Sequence, residues 1–192
     1  SRASAEPGAR VHRQWFDASA PGAELELPDV LDGLVYFPGT ITLKPFARLT
    51  PDDLSNDLEV NYLGAVRVLQ QACASLKRAE DGASVVLFSS VAASVGMGYH
   101  ASIASAIAAV EGLTRSLAAE WAPNIRVNAI APSLTDTPLA ARFLSSEDKI
   151  AAAARRHPVQ QIGDPGDVAA MVEFLLSDAS RFITGQVLRP DG

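Results

Sequence analysis

Three short apolar runs, Gly33–Phe37 (GLVYF), Ser84–Ser90 (SVVLFSS) and Ile125–Ala131 (IRVNAIA), alternate with long stretches of helical spacing. No other feature constrains the fold as strongly. Runs apolar on successive residues suit strands covered on both faces, because such a strand shows neither side to water. Strands separated by helices pair in parallel through crossovers, so the expected fold is an α/β domain of βαβ units around a parallel sheet. Function in such a sheet gathers at the carboxyl ends of the strands.

The connecting segments carry their own punctuation. Thr50 is an N-cap candidate ahead of Pro51, and Asp52 and Asp53 favour the positive end of a helix. Leu54, Leu58, Leu63, Val66 and Leu69 keep helical spacing as far as Leu76. A second long helix, rich in alanine, is expected over Ser102–Trp121. Shorter helices are expected over Leu139–Leu144, Glu147–Arg156 and Pro165–Leu176, the last capped by Asp164, with a final strand at Gln186–Leu188. Upstream, Val11–Phe16 (VHRQWF) reads as a strand followed by a turn at Asp17-Ala-Ser-Ala-Pro-Gly. Ser1–Arg10 has no apolar stretch of signal-peptide type and reads as a loop entering in mid-fold. One domain over residues 1–192 is the expected organisation.

Composition removes several function classes. With 22 acidic against 16 basic residues, the chain has a formal net charge of −6, which disfavours a nucleic-acid surface. No run approaches the ~20 apolar residues of a membrane span. A single cysteine, Cys73, excludes an internal disulfide framework, and it reads as a buried thiol on the first long helix. His12, His100 and His157 are scattered without carboxylates at ligand spacing, so no metal site is expected. Arg155-Arg156-His157 reads as a positive helix end. These features fit a soluble domain of a reducing, cytoplasmic compartment and say nothing yet about chemistry.

Several motifs in order give the chain a likeness. Val60-Asn61-Tyr62-Leu63-Gly64, Phe88-Ser89-Ser90, the run Val110–Ala118 (VEGLTRSLA), Ile125–Pro132 (IRVNAIAP), Ile183-Thr184-Gly185-Gln186 and Asp191-Gly192 together resemble the short-chain dehydrogenase/reductase family. The likeness runs from about Asp17 to Gly192. Tyr36-Phe37-Pro38-Gly39 stands where that family shows Asn-Asn-Ala-Gly. The resemblance implies an α/β fold with a Rossmann-type doubly wound, mostly parallel sheet, NAD or NADP as cofactor, an alcohol or carbonyl substrate, and a homodimer or homotetramer formed through the two long helices. Small residues at Ala101, Ala104, Ala108 and Ala109 would permit close helix approach there.

The family's chemistry uses a tyrosine as proton donor, a lysine one turn later, a serine that polarises the carbonyl and an asparagine that supports the proton relay. By the resemblance, Ser90 and Asn61 keep the last two positions, whereas the tyrosine and lysine positions fall on Ile103 and Ile107. General acid–base help is typically worth ~10²–10⁴-fold, so turnover by the usual route should be nearly lost. Tyr99 and His100, just ahead of the helix, are candidate substitute donors; both also read as ordinary loop residues. Ser90 and Asn61 could equally be held by structural hydrogen bonds.

For the cofactor, the resemblance points to Asp17 against the adenine side, to Gly39, and to Pro132, Thr135 and Thr137 of Pro132–Thr137 (PSLTDT) on the nicotinamide side. Ser133 replaces the family's glycine in that motif. Asp17 serves equally well as a turn former, and Arg2 is a weak pointer to a 2′-phosphate. No Gly-rich phosphate loop occurs in the sequence. The family's strand order places two strands between Val11–Phe16 and Gly33–Phe37. The expectation is therefore that the sequence is N-terminally incomplete by about 40 residues that include that loop. Two readings remain open: an NAD(P)-dependent oxidoreductase with a degraded Tyr/Lys site, and an inactive relative that binds a ligand, a cofactor or a partner subunit, with no cofactor bound as one possibility.

Overall fold

A computed structural model describes residues 12–20 and 22–192. Among these residues four parallel strands form one sheet in the order β1-β2-β3-β4: β1 (Gly33–Val35), β2 (Ala83–Phe88), β3 (Ile125–Ile130) and β4 (Val187–Leu188). The expected doubly wound parallel α/β architecture is present. Register follows from the pairs Gly33↔Ser84, Ala83↔Ile125 and Ala129↔Val187.

Successive residues of a strand face opposite sides, and here each side has its own helical cover. Val85, Leu87, Val127 and Ala129 face α2 (Gly64–Leu76) and α3 (Ala101–Trp121), packing with Leu69, Leu76 and Val110. Val86 and Ile130 face the other way, onto Leu175, Val172 and Val168 of α5 (Pro165–Leu176). Burial on both faces explains why these strands read as continuous apolar runs.

The first long helix has three parts. Thr50 caps α1 (Pro51–Leu58): its hydroxyl accepts from Asp53 N–H, while the Asp53 carboxylate accepts from Thr50 N–H. A π turn over Glu59–Leu63 follows, and α2 then continues. Pro138–Phe143 forms a 3₁₀ turn where the sequence predicts an α-helix. Its bonds close i→i+3, from Ala140 N–H to Thr137 O and from Leu144 N–H to Ala141 O. α4 (Glu147–Ala154) and α5 fall as expected, with Asp164 accepting from Gly166 N–H at 2.6 Å.

One expected element is corrected. His12–Phe16 is irregular, and Val11 lies outside the described residues. Among the described residues no strand ladder pairs with it; instead the Gln14 side-chain amide donates to Glu26 O and accepts from Glu26 N–H. Phe16 still packs on the core. Among the described residues β1 pairs with β2 alone. Arg2 and the rest of Ser1–Arg10 lie outside the described residues. Cys73 is half-buried rather than buried. No helix among the described residues is long and apolar enough to cross a membrane.

Candidate functional site

The carboxyl ends of β1, β2 and β3 open into a cleft of about 1470 Å³. Each strand delivers a different wall. Gly39 and Thr40 follow β1, Ser90 follows β2, and Pro132, Ser133, Thr135 and Thr137 follow β3. α3 contributes His100, Ile103 and Ile107, and the π turn contributes Asn61.

Asn61 is buried and held on three sides. Its Nδ2 donates to Thr40 Oγ1 and to Asp57 O, both at 2.8 Å, and its Oδ1 accepts from Thr40 N–H. Asp57, one turn earlier and fully buried, anchors the same network. Its carboxylate accepts from the hydroxyls of Thr40 (2.8 Å), Thr42 (3.0 Å) and Ser102 (2.6 Å). Three hydroxyl donors offset the desolvation of a buried carboxylate. They also tie the π turn to the loop after β1 and to the start of α3. Sequence reasoning missed Asp57, although its i−4 spacing from Asn61 was visible.

Ser90 caps a short 3₁₀ turn, its Oγ accepting from Ala92 N–H at 3.3 Å. Its hydroxyl proton has no acceptor among the described residues, so it stays available to a ligand oxygen. Ile103 and Ile107 line the cleft at 5% and 4% exposure, packed with Ala92, Ala93 and Leu43. Neither isoleucine can carry a proton.

The two substitute donors separate. His100 lines the cleft, and its Nδ1–H donates to Gly98 O at 2.7 Å, which leaves Nε2 available. Tyr99 is 64% exposed, sits in the left-handed region (φ 68°) and does not line the cleft. Its backbone is turned by the tight entry to α3, where its carbonyl accepts from Lys44 N–H. Tyr99, the other expected donor, is thus not brought together with the residues that line the cleft.

A smaller apolar pocket of about 510 Å³ adjoins the cleft, sharing Val35 and Pro38 with it. Asp17 borders this pocket beside Trp15, Tyr36 and Val60. The Ser19 hydroxyl and then its N–H hold the Asp17 carboxyl below the usual range, so Asp17 is a turn former and a pocket residue together. Tyr36, in the place of an expected asparagine, donates to Val60 O at 2.5 Å. Burial raises its hydroxyl to about 12, with a smaller opposing effect from Arg67. Two adjoining cavities, one with a carboxylate rim and one with Thr135 and Thr137 hydroxyls, suit the adenosine and nicotinamide ends of a dinucleotide.

A pair that sequence reasoning did not join lies on the β3 wall. His157, expected as a charged helix end, is 7% exposed and contacts the Ser133 hydroxyl at 2.7 Å. The two residues come from separate elements, and no spacing rule connects them. No group of three potential metal ligands occurs among the described residues.

Comparison with known proteins decides the family. A family model described as enoyl-(acyl carrier protein) reductase matches residues 22–192. A tropinone reductase homolog of Arabidopsis thaliana is 39% identical over 163 residues, covering 84% of this chain and 62% of its own length. The chain belongs to the short-chain dehydrogenase/reductase family. A short-chain type dehydrogenase/reductase from Mycobacterium ulcerans superposes with a TM-score of 0.79 at 33% identity, covering 85% of this chain and 60% of that one. ElxO with NADP bound gives 0.77 at 30% identity, covering 84% and 66%. The chain thus spans 62% of the length of the Arabidopsis short-chain dehydrogenase/reductase relative that it matches.

Proposed function

We propose that this chain carries the substrate side of an NAD(P)-linked oxidoreductase for alcohol or carbonyl compounds, with His100 in place of the usual tyrosine as proton carrier. The observation that supports this reading is the contrast along one wall of the cleft. Ile103 and Ile107 are inert, while His100, at the entry to the same helix, faces the cleft with Nε2 unused. Asp17, Gly39, Pro132, Thr135 and Thr137 would hold the cofactor, whose chemistry is hydride transfer. The Ser90 hydroxyl would donate to the substrate oxygen. As the imidazolium, His100 would give a proton from Nε2 to that oxygen on reduction; as the neutral ring, with Nε2 bare, it would take one on oxidation.

NADH or NADPH binding, followed by fluorescence, and turnover of a panel of apolar ketones and aldehydes test this reading together. His100→Ala should keep cofactor binding and lose turnover by about 10²-fold or more. Binding with no turnover in the unaltered protein would instead favour a second reading, an inactive ligand-binding relative. The apolar wall of Ile103, Ile107, Ala92 and Leu43 supports that alternative.

A further inference from the structure

We propose that Ser133 and His157 form an acyl-transfer pair that hydrolyses esters or thioesters with an apolar acyl group. Its chemistry is separate from hydride transfer and needs no nicotinamide. The pair stands on geometry. Both residues line the cleft, and Ser133 Oγ lies 2.7 Å from His157 Nε2. The other ring nitrogen, Nδ1, lies 3.1 Å from Ala153 O. A carbonyl can only accept, so Nδ1 carries a proton and neutral His157 presents a bare Nε2 to the serine. That is the tautomer a general base needs, fixed here by a backbone carbonyl on α4 instead of a carboxylate.

The serine is also held in place. Ser133 N–H donates to Pro190 O at 3.2 Å, its carbonyl accepts from Thr135 Oγ1 at 3.1 Å, and Leu134 O accepts from Gly163 N–H at 2.9 Å. A nucleophile on a braced loop needs little reordering to react. The N–H groups of Leu134 and Thr135, next along the chain, make no hydrogen bond among the described residues. They are the available donors for an oxyanion. Ile103, Ile107, Leu139 and Phe143 form the apolar lining that selects the acyl group.

The reaction balances without a co-reactant other than water. Ser133 Oγ bonds to the acyl carbon while its proton passes to His157 Nε2. The bond from acyl carbon to the alcohol oxygen or thiol sulfur then breaks, and the leaving group takes that proton. Water attacks the acyl-serine, again losing a proton to Nε2, and returns the serine hydroxyl with release of the acid.

The test uses the 192-residue chain with an alkyl fluorophosphonate, read by intact mass and peptide mapping, and with p-nitrophenyl butyrate, read by absorbance. The expected result is one adduct on Ser133 and measurable ester hydrolysis. Both should be absent in Ser133→Ala and unchanged in Ser94→Ala, an exposed serine outside the cleft. His157→Gln should slow labelling by about 10²-fold or more. Ser133→Cys keeps the proposal testable if His157→Gln fails to fold: its new thiol should react with iodoacetamide faster than Cys73 of the same chain. No adduct, an adduct elsewhere, or a thiol in Ser133→Cys that reacts no faster than Cys73 would overturn the proposal.

Discussion

Asp57 shows how one side chain organises the cleft. Its carboxylate accepts from three hydroxyls contributed by two different segments, Thr40 and Thr42 after β1 and Ser102 at the start of α3. Asp57→Ala would take the acceptor from half-buried Thr40 and Thr42 and leave buried Ser102 only its longer bond to Asp53 O at 3.3 Å, and urea unfolding should show a loss of about 2–3 kcal/mol. Asp53, four residues earlier, works at the surface and through pH. The Lys44 ammonium, followed by the Thr50 N–H, holds its carboxyl at about 2 against an ordinary 3.8. A depressed carboxyl stabilises the fold fully above its unfolded value, and that help fades as pH falls toward about 2. Urea midpoints across the acid range should therefore drop in the native chain, and Asp53→Asn should flatten that portion of the drop. Much of the cleft was legible at this scale: Asn61, Ser90 and His100 were named from the sequence and do line one cavity. Ser133 with His157 was not legible, because only the return of α4 toward the end of β3 makes those residues neighbours.

The π turn at Glu59–Leu63 is the element on which the Asn61 wall depends. It interrupts a helix whose apolar spacing reads as continuous, so periodicity alone could not reveal it. Tyr36 braces it through Val60 O, and Gly64 leaves room for that tyrosine, since a Cβ there would collide with the hydroxyl. Gly64→Ala should cost about 1–3 kcal/mol by overpacking. Combined with Tyr36→Phe, which removes the colliding oxygen, it should cost less than the sum of the two single changes. A double-mutant cycle in urea measures that coupling. The sequence named the strands and the long helices because their apolar spacing is set by the sheet. It misplaced His12–Phe16, which joins no ladder among the described residues and where Gln14 bonds Glu26 instead.

At the scale of the whole molecule, Arg126 couples the sheet to its lower cover. From near the start of β3 its guanidinium reaches Leu175 O at 3.0 Å, Ser177 O at 3.2 Å and Ser180 Oγ at 2.9 Å. These carbonyls close the end of α5, where a cation also complements the helix dipole. Arg126→Ala should cost about 2–3 kcal/mol and raise hydrogen exchange in α5 and β4 before the rest of the fold. Asn128 adds a second tie, donating to Ile183 O and accepting from Gln186 N–H so that β4 is aligned. The parallel register described above also governs how the chain finds its shape. Gly33 meets Ser84, Ala83 meets Ile125 and Ala129 meets Val187, so every ladder joins residues dozens of positions apart. Among the described residues no hairpin offers an early, cheap contact. Loop closure must precede every strand pairing, which places this molecule among slow folders, whose apolar strands stay open longest while α3 and α5 are still arriving.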